Sequence, residues 1–269
     1  MCRLYGFRSN RPTRPECALV RAQNALMTQS ARDHDGQVNG DGWGIAAYQD
    51  GEPTVVRRTR AAFSDAEFPR LAERIRARTI VAHVRAASVG RITLANTHPF
   101  VAGRWALAHN GTLPGFAALR PEILAEIAPE HRAAIAGETD SEHVFRLLLT
   151  RIDAAPERPL RELIAETARA LVNRCRARDS AARIGLNLIL TDGARMVGTR
   201  LGRTLYHLRR DRLLDCATCG LSHADTATGD GYRAAVVASE PLTDEPWQEV
   251  PQGSAWEITP DFGIAIAPF

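Results

Sequence analysis

The second residue of the chain is a cysteine, and this position gives its thiol an unusual partner. Cys2 follows Met1 at the head of a predicted strand. If Met1 is removed, the thiol lies beside a free α-amine, whose pKa of about 7.7–8.0 leaves part of it unprotonated near neutral pH. The amine can then act as general base, so that one residue supplies both the nucleophile and its base. The alternative is an exposed cysteine without a function.

Three further stretches carry side chains that suit an amide substrate with a charged end. Arg85 ends the predicted strand TIVAHVR, where a guanidinium can bind a carboxylate through two parallel hydrogen bonds. Asn110-Gly111 ends the strand WALAHN, and a side-chain amide beside a glycine N–H offers the two donors of an oxyanion hole. Asp140 lies in TDSE, a capping-box sequence. Each stretch also has a structural alternative. Arg85 could be a solvated arginine, Asn110-Gly111 a tight turn, and Asp140 a first-turn acid stabilised by its helix dipole.

The composition excludes several kinds of chemistry. The chain has no lysine, since all 34 basic residues are arginine, which excludes Schiff-base and P-loop lysines. The net charge of +3 is too small to indicate a nucleic-acid partner. Neither a secretory signal nor an apolar run of roughly 20 residues is present, which predicts a cytoplasmic protein without a membrane partner. Cys216 and Cys219 form a C-x-x-C without the second pair of a zinc site, so no metal is expected.

The order of the predicted elements indicates an α+β fold. Helices are predicted over 16–27, 68–78, 142–152 and 160–176, from the spacing of their apolar residues. Strands are predicted over 2–8, 40–48, 79–84, 105–109, 186–191, 195–199, 204–209, 234–239 and 256–259. Strands, then helices, then strands again is the order of antiparallel sheets with segregated helices. No linker interrupts the chain, so a single domain over 1–269 is expected.

The motifs MCR, H-x-R, HNG and ETDSE, in this order, resemble those of the class II glutamine amidotransferases, which are N-terminal-nucleophile hydrolases. The stretches NGDGWGIAAY, NTHPF and AVVASEPLTDEPWQEVP resemble the stand-alone branch of that family, which includes bacterial single-domain amidotransferases and the γ-glutamyl hydrolase of ergothioneine biosynthesis. The resemblance covers nearly the whole chain. It implies a four-layer αββα sandwich with two antiparallel sheets.

The resemblance also implies which residues act. Cys2 corresponds to the nucleophile, with its α-amine as base, and the Asn110 side chain and the Gly111 N–H correspond to the oxyanion hole. The side-chain amide of glutamine, or another γ-glutamyl amide, would form a γ-glutamyl thioester on Cys2, releasing ammonia or an amine before water hydrolyses the thioester. No cofactor takes part in such a reaction.

The substrate-binding residues follow from the same resemblance. Arg85 corresponds to the residue that binds the substrate α-carboxylate, Ser88 to a hydroxyl that assists it, and Asp140 to the acid that binds the α-ammonium. The sequence departs from the family pattern at Ala86, a tryptophan in sugar-synthase members, and at Val89, a histidine in several members. These departures concern the lining of the pocket rather than the catalytic core.

Three functions stay open at this stage, all with a small-molecule substrate. The protein could supply ammonia to a synthase partner protein, or hydrolyse the γ-glutamyl bond of a specific conjugate, as in an ergothioneine-type pathway. The third alternative is a glutamine-binding module without catalysis, which an intact Met1 would favour because a blocked amine cannot act as base.

Overall fold

The computed structural model describes residues 2–49, 51–211, 220 and 231–269, and within them two antiparallel sheets form the centre of the molecule. Strands and helices are numbered in chain order. The C-x-x-C stretch with Cys216 and Cys219 lies outside the described residues. The sequence TATGDG over 226–231 predicts a loop, and its residues 226–230 also lie outside them.

The first sheet has seven strands and carries Cys2 at the start of its central strand. Its spatial order is β11 (Gln248–Glu249), β9 (Tyr206–Arg210), β10 (Ala234–Ala238), β1 (Arg3–Thr13), β4 (Ala77–Val84), β2 (Trp43–Tyr48) and β3 (Thr54–Arg58). β1 therefore lies between β10, from near the end of the chain, and β4. The turn signal Asp50-Gly51 predicts that Val55 and Val56 pair with the 40–48 segment in a hairpin. The pairing of β2 with β3 confirms this prediction.

The second sheet has six strands and carries Asn110 and Gly111. Its spatial order is β13 (Ile264–Pro268), β12 (Ser254–Ile258), β8 (Met196–Arg200), β7 (Gly185–Thr191), β6 (Trp105–Thr112) and β5 (Phe100–Ala102). All neighbouring strands are antiparallel in both sheets.

The helices cover the outer faces of the two sheets. They are α1 (Leu26–Ala31), α2 (Glu67–Arg74), α3 (Phe116–Glu126), α4 (Pro129–Ala133), α5 (Asp140–Ala154) and α6 (Leu160–Arg178). Short helical turns of other types occur at Cys17–Arg21, Ala62–Ser64 and Leu94–Asn96. No helix in the described part of the chain is both long enough and apolar enough to cross a lipid bilayer.

Three apolar cores separate four layers, as the alternation of side chains along β1 illustrates. Leu4 joins the core between the two sheets, where it packs with residues such as Ile189 of the second sheet. Tyr5 points to the opposite face and packs in the core that α1 and α2 form with the first sheet. A third core joins the second sheet to α3, α5 and α6. The αββα sandwich and the α+β class are thus confirmed.

The continuous helix predicted over 16–27 is wrong, because the chain forms two short helical segments there instead. The chain makes one turn at Cys17–Arg21, becomes extended at Ala22 and Ala25, and begins α1 only at Leu26. Asn24 explains the interruption, because its side chain donates hydrogen bonds to Glu240 and to the carbonyl of Pro241 instead of facing solvent on a helix. Leu19, Ala22, Ala25 and Leu26 are nevertheless buried, so the apolar spacing indicated burial correctly and the element incorrectly.

The other helices differ from prediction mainly at their ends. The helix predicted over 68–78 ends at Arg74, because residues from Ala77 onward belong to β4. The helices predicted over 142–152 and 160–176 are present as α5 and α6, each somewhat longer. β5, β11, β13, α3 and α4 carry no specific sequence prediction.

Candidate active site

Cys2 lies at the edge where β1 begins and β4 ends. Arg3 pairs with Val84, so the half-buried Cys2 reaches the first residues after β4. Its Sγ accepts a hydrogen bond from the Ala86 N–H at 3.3 Å and lies 3.4 Å from the Ala86 carbonyl oxygen. Burial raises the pKa of the thiol above its ordinary value, despite the opposing effect of the Ala86 hydrogen bond. The thiol is therefore protonated near neutral pH, and a nearby base must take its proton before it can attack a carbonyl.

Arg85 is buried and enclosed by its own loop. Its backbone extends the pairing of β4 with the segment before β2, since Arg85 N–H donates to Gly42 and Asp41 N–H donates to Arg85, both at 2.8 Å. Its guanidinium donates to the carbonyls of Val89 and Arg91, at 3.1 Å each. Burial lowers the pKa of Arg85, but an arginine stays charged in a protein. The site thus contains a fixed, buried positive charge beside Cys2.

Ser88 connects this loop to the second sheet. Its hydroxyl lies 2.9 Å from the Thr112 hydroxyl, at hydrogen-bond distance. Thr112 directly follows Asn110-Gly111 in β6, so the Arg85 loop and the predicted oxyanion residues come from neighbouring backbone segments.

Asn110 and Gly111 lie inside β6, which pairs with β7 through both residues. The tight Asn-Gly turn is therefore wrong as an alternative. The Asn110 side chain is buried, and its amide donates a long hydrogen bond of 3.5 Å to Ser239 Oγ. A glycine is required at position 111 because a Cβ there would collide with the backbone of Gly185 on β7.

Asp140 is the first residue of α5, as the capping-box sequence predicts. Thr139 caps the helix by accepting a hydrogen bond from the Glu142 N–H at 3.2 Å. The buried Asp140 carboxylate accepts the N–H groups of Leu113 and Ser141, at 2.7 and 2.8 Å. Charge–dipole attraction at a helix N-terminus favours a carboxylate in this position. Through Leu113, this buried negative charge is joined directly to the end of β6.

A pocket of about 540 Å³ lies between the Arg85 loop, the end of β6 with the start of α3, and the segment before α5. Cys2, Arg85, Asn110, Gly111 and Asp140 are not among its lining residues. Its lining comprises Val89, Thr112, Leu113, Pro114, Gly115, Phe116, Ala117, Arg120, Gly137 and Glu138. Val89 accepts from Arg85 and Leu113 donates to Asp140, so the segments that bind the two buried charges form part of the pocket wall. A site with one buried cation and one buried anion can recognise both charged groups of an amino acid.

The three histidines of the motifs are packed in the interior, and burial lowers the pKa of each, for His83 to about 3. His83 and His109 make hydrogen bonds, whereas His98 packs with its ring tilted against His83 and edge-on against Phe100. For these three histidines the sequence predicts packed, hydrogen-bonded rings rather than proton shuttles. Within the described residues neither ring nitrogen of His98 has a hydrogen-bond partner, so that prediction is wrong for His98. Neutral rings of this kind suit a structural position better than proton transfer.

Asn96 contacts the Arg85 loop, and no specific role for this residue is predicted from the sequence. Its side-chain oxygen accepts from Glu138 N–H at 2.8 Å, and its amide donates to the Arg91 carbonyl at 3.0 Å. It thereby joins the Arg85 loop to the segment before Asp140. The same NTHPF stretch explains Gly44 of NGDGWG, since a Cβ at position 44 would collide with the carbonyl oxygen of His98.

Arg3, Ser239 and Glu240 were also missed as neighbours of the site. Arg3 is buried and donates to the Cys2 carbonyl and to Glu240, and Ser239 contacts Asn110. Arg3 belongs to MCR, and Ser239 and Glu240 belong to the stretch AVVASEPLTDEPWQEVP. Both stretches carry the family resemblance, so the sequence did contain a signal that pointed to these residues. Among the described residues, no group of three or more His, Cys, Asp or Glu side chains is arranged to hold a metal ion.

Comparison with known proteins gives matches along nearly the whole chain. The probable glutamine amidotransferase DUG3 of Saccharomyces cerevisiae is 29% identical, and the alignment covers 96% of this chain and 82% of that protein. The gamma-glutamyl-hercynylcysteine sulfoxide hydrolase of Mycolicibacterium smegmatis is 30% identical over 100% of both chains. The putative glutamine amidotransferase YafJ of Escherichia coli is 27% identical, covering 96% of this chain and 97% of that protein.

Solved structures share the fold. A glutamine aminotransferase class-II domain protein from Silicibacter pomeroyi superposes with a TM-score of 0.65 at 24% identity, covering 100% of this chain and 99% of that one. The glutamine phosphoribosylpyrophosphate amidotransferase of B. subtilis superposes with a TM-score of 0.62 at 18% identity, covering 99% of this chain and 49% of that one. The family profile described as class-II glutamine amidotransferases matches residues 1–260. The chain therefore belongs to the class-II glutamine amidotransferases.

Proposed function

We propose that Cys2 is the nucleophile with which this amidohydrolase cleaves the side-chain amide of glutamine or of a γ-glutamyl compound. Removal of Met1 is part of the proposal, because it creates the free α-amine that takes the thiol proton. The raised pKa of the buried thiol supports the need for such a base. An α-amine with a pKa of about 7.7–8.0 is suited to that task near neutral pH.

In the first half of the reaction the Cys2 thiolate attacks the γ-carbonyl carbon, and the carbonyl oxygen becomes negatively charged. The Asn110 side-chain amide and the Gly111 N–H are proposed to donate hydrogen bonds to this oxyanion. The α-ammonium of Cys2 then returns its proton to the departing nitrogen, which leaves as ammonia or an amine. Water hydrolyses the resulting γ-glutamyl thioester, the α-amine again acting as base.

The charged end of the substrate is proposed to lie between Arg85 and Asp140. Arg85 would bind the α-carboxylate, with help from the Ser88 hydroxyl, and Asp140 would bind the α-ammonium. Both residues are buried and held by neighbouring backbone groups, so neither charge needs to be ordered when the substrate binds.

One observation carries this proposal. Cys2 Sγ contacts Ala86, the residue after Arg85, while the Arg85 loop contacts Thr112, the residue after Asn110-Gly111. These contacts link Cys2, the Arg85 loop and the end of β6, and Val89 and Thr112 of the linked segments line the pocket, which supports the proposal.

The identity of the leaving group is part of the proposal. Glutamine is the simplest substrate that Arg85, Asp140 and Cys2 together accommodate. A γ-glutamyl conjugate of a small amine is the second candidate, supported by the full-length similarity to a protein described as a gamma-glutamyl-hercynylcysteine sulfoxide hydrolase. Measuring glutamate release from glutamine and from a panel of γ-glutamyl amides, at equal concentrations, distinguishes the two by their kcat/KM ratio.

A synthase partner protein that receives ammonia is a further alternative to water-only hydrolysis. Free ammonia released in equal amount to glutamate by the isolated protein would argue against an obligatory partner. We also propose that one domain over 1–269 carries the activity and that the protein acts in the cytoplasm. The free thiols of Cys2, Cys17 and Cys175 are compatible with a reducing compartment.

Intact-mass measurement after incubation with 6-diazo-5-oxo-norleucine tests the nucleophile directly, since this glutamine analogue alkylates such thiols. The expected product lacks one methionine and carries one adduct, located on Cys2 by peptide mapping. Cys17 and Cys175 are buried and serve as internal controls for nonspecific alkylation. Cys2→Ala should show no adduct. A retained Met1 without an adduct, or an adduct elsewhere, would contradict the proposal.

A further inference from the structure

Ser239 and Glu240 lie at the end of β10, in the ASEPL stretch to which the sequence assigns no role. β10 pairs with β1 up to the level of Tyr5 and Ala238, and Ser239 continues this pairing toward the start of β1. The Ser239 N–H donates to the Leu4 carbonyl at 3.1 Å, and the Leu4 N–H donates to Ser239 Oγ at 2.9 Å. The Leu4 N–H, two residues after Cys2, is thus bound by the Ser239 hydroxyl instead of by a backbone carbonyl.

Ser239 also contacts the proposed oxyanion donor. Its Oγ accepts from the Asn110 amide nitrogen at 3.5 Å, although the two residues are 129 positions apart. Both side chains are almost fully buried. A carboxamide nitrogen carries two hydrogens, so one can bind Ser239 while the other stays available to an oxyanion. The Ser239 hydroxyl therefore contacts both the Asn110 amide and the backbone of β1, the strand that follows Cys2.

Glu240 acts on Cys2 through Arg3. The Glu240 carboxylate accepts from Arg3 Nε at 2.6 Å, and Arg3 Nη1 donates to the Cys2 carbonyl oxygen at 3.0 Å. Arg3 also forms an ion pair with Asp33 at 2.8 Å, and its side chain is only 3% exposed. The Arg3 guanidinium is thus directed at the backbone of the nucleophile and at buried carboxylates.

Glu240 is itself held from two other segments. Its Oε1 accepts from the His34 N–H and its Oε2 from the Asn24 side chain, each at 3.0 Å. This explains why the helix predicted over 16–27 is interrupted at Asn24. The ends of a chain are usually poorly ordered unless other residues hold them. A nucleophile at the start of the chain must be held in this way, because it has to keep a fixed position. Through Glu240 and Arg3, the start of β1 is held in place by contacts with segments that are far away in sequence.

We propose that Ser239 and Glu240 are positioning residues for the catalytic N-terminus. Ser239 orients the Asn110 amide toward the oxyanion, and Glu240, through Arg3, fixes the Cys2 carbonyl and hence its thiol and α-amine. The inference rests on the proposed function of Cys2 and Asn110. Neither residue lines the pocket, and as positioning residues they act through Asn110 and Arg3, so their loss should lower kcat and leave KM nearly unchanged.

A double-mutant cycle tests the role of Ser239. Ser239→Ala should lower kcat about tenfold or more, since small displacements of a catalytic group cost up to about 100-fold. In an Asn110→Ala background the same change should have almost no further effect, because the amide that Ser239 orients is absent. Ser254→Ala, which removes another buried serine hydroxyl, is the matched control and should keep kcat. Ser239→Cys replaces Ser239→Ala if the alanine variant does not fold.

Alkylation of Cys2 by iodoacetamide tests Glu240 separately, because this reaction needs no oxyanion hole. Glu240→Gln should slow both alkylation and turnover, whereas Ser239→Ala should slow turnover alone. Glu245→Gln is the matched control, since it alters another arginine–carboxylate pair of the same C-terminal segment, with Arg210. It should leave the alkylation rate unchanged.

Equal fold losses from Ser239→Ala in the wild-type and Asn110→Ala backgrounds would overturn the role of Ser239. A Glu240→Gln variant with the wild-type alkylation rate would overturn the role of Glu240. Both outcomes presuppose a wild-type enzyme that turns over glutamine or a γ-glutamyl amide and reacts at Cys2. Failure of the wild-type protein itself would instead refute the proposed function.

Discussion

Substitution of Arg85 by lysine tests how the substrate is recognised. The Arg85 guanidinium uses both terminal nitrogens to bind carbonyls of its own loop, Nη1 with Arg91 and Nη2 with Val89, and is proposed to grip the α-carboxylate as well. A lysine ammonium is a point charge on a flexible stem and cannot present the same planar fork. Arg85→Lys therefore keeps the charge but loses at least one hydrogen bond to the carboxylate.

The expected change in KM follows from the charges of the Arg85 guanidinium and the substrate carboxylate. A hydrogen bond to a charged group contributes about 1.5–3 kcal/mol, and about 1.4 kcal/mol corresponds to a tenfold change in binding. Loss of one such bond should raise KM for glutamine roughly 10- to 100-fold. Loss of one loop contact should also lower the free energy of unfolding, by about 1–3 kcal/mol, because a buried carbonyl loses its partner.

The assay is steady-state glutamate release over a wide range of glutamine concentrations, with thermal unfolding of each variant measured in parallel. Arg91→Lys is the matched control, since its side chain is 81% exposed and pairs with Glu138 at the surface. Exposed ion pairs contribute at most about 1 kcal/mol, so this variant should keep its KM within a fewfold. A folded Arg85→Lys enzyme with an unchanged KM would refute the assignment of Arg85 to the carboxylate.

Four other predictions concern the catalytic groups and the packing beneath them. Cys2→Ala should abolish turnover with little change in the melting temperature, and residual activity would remove Cys2 from the mechanism. Asn110→Ala should lower kcat about 10²- to 10³-fold at nearly constant KM, as is usual for an oxyanion donor; a change confined to KM would contradict this role. The pH dependence of kcat/KM should rise through an inflection at about 7.7–8.0, where the α-amine loses its proton, and an inflection only above the ordinary thiol pKa, which burial raises further, would argue against the amine as base. Gly44→Ala should destabilise the protein by about 1–3 kcal/mol because its Cβ collides with the His98 carbonyl, and calorimetry showing an unchanged stability would refute that account.

The sequence by itself determined the local features of the site. Each of them depends on near neighbours in the chain: the cysteine after Met1, the capping box that begins α5, and the strands that end in Arg85 and contain Asn110. The regular spacing of apolar residues was likewise sufficient to predict α5, α6 and most strands, because these elements bury one continuous face. The order of the motifs then indicated the family, and with it the sandwich of two sheets.

Only the tertiary structure decided how these features meet. Asn24 ends a helix that local propensity favours, because its side chain binds Glu240 more than two hundred residues away. Gly44 and Gly111 are explained by backbone atoms of distant segments, and no local turn requires them. The contact of Ser239 with Asn110 joins the two sheets, and the contact of Glu240 with Arg3 joins the two ends of the chain. A sequence pattern records the preferences of neighbours, whereas positioning depends on pairs that are close only after folding.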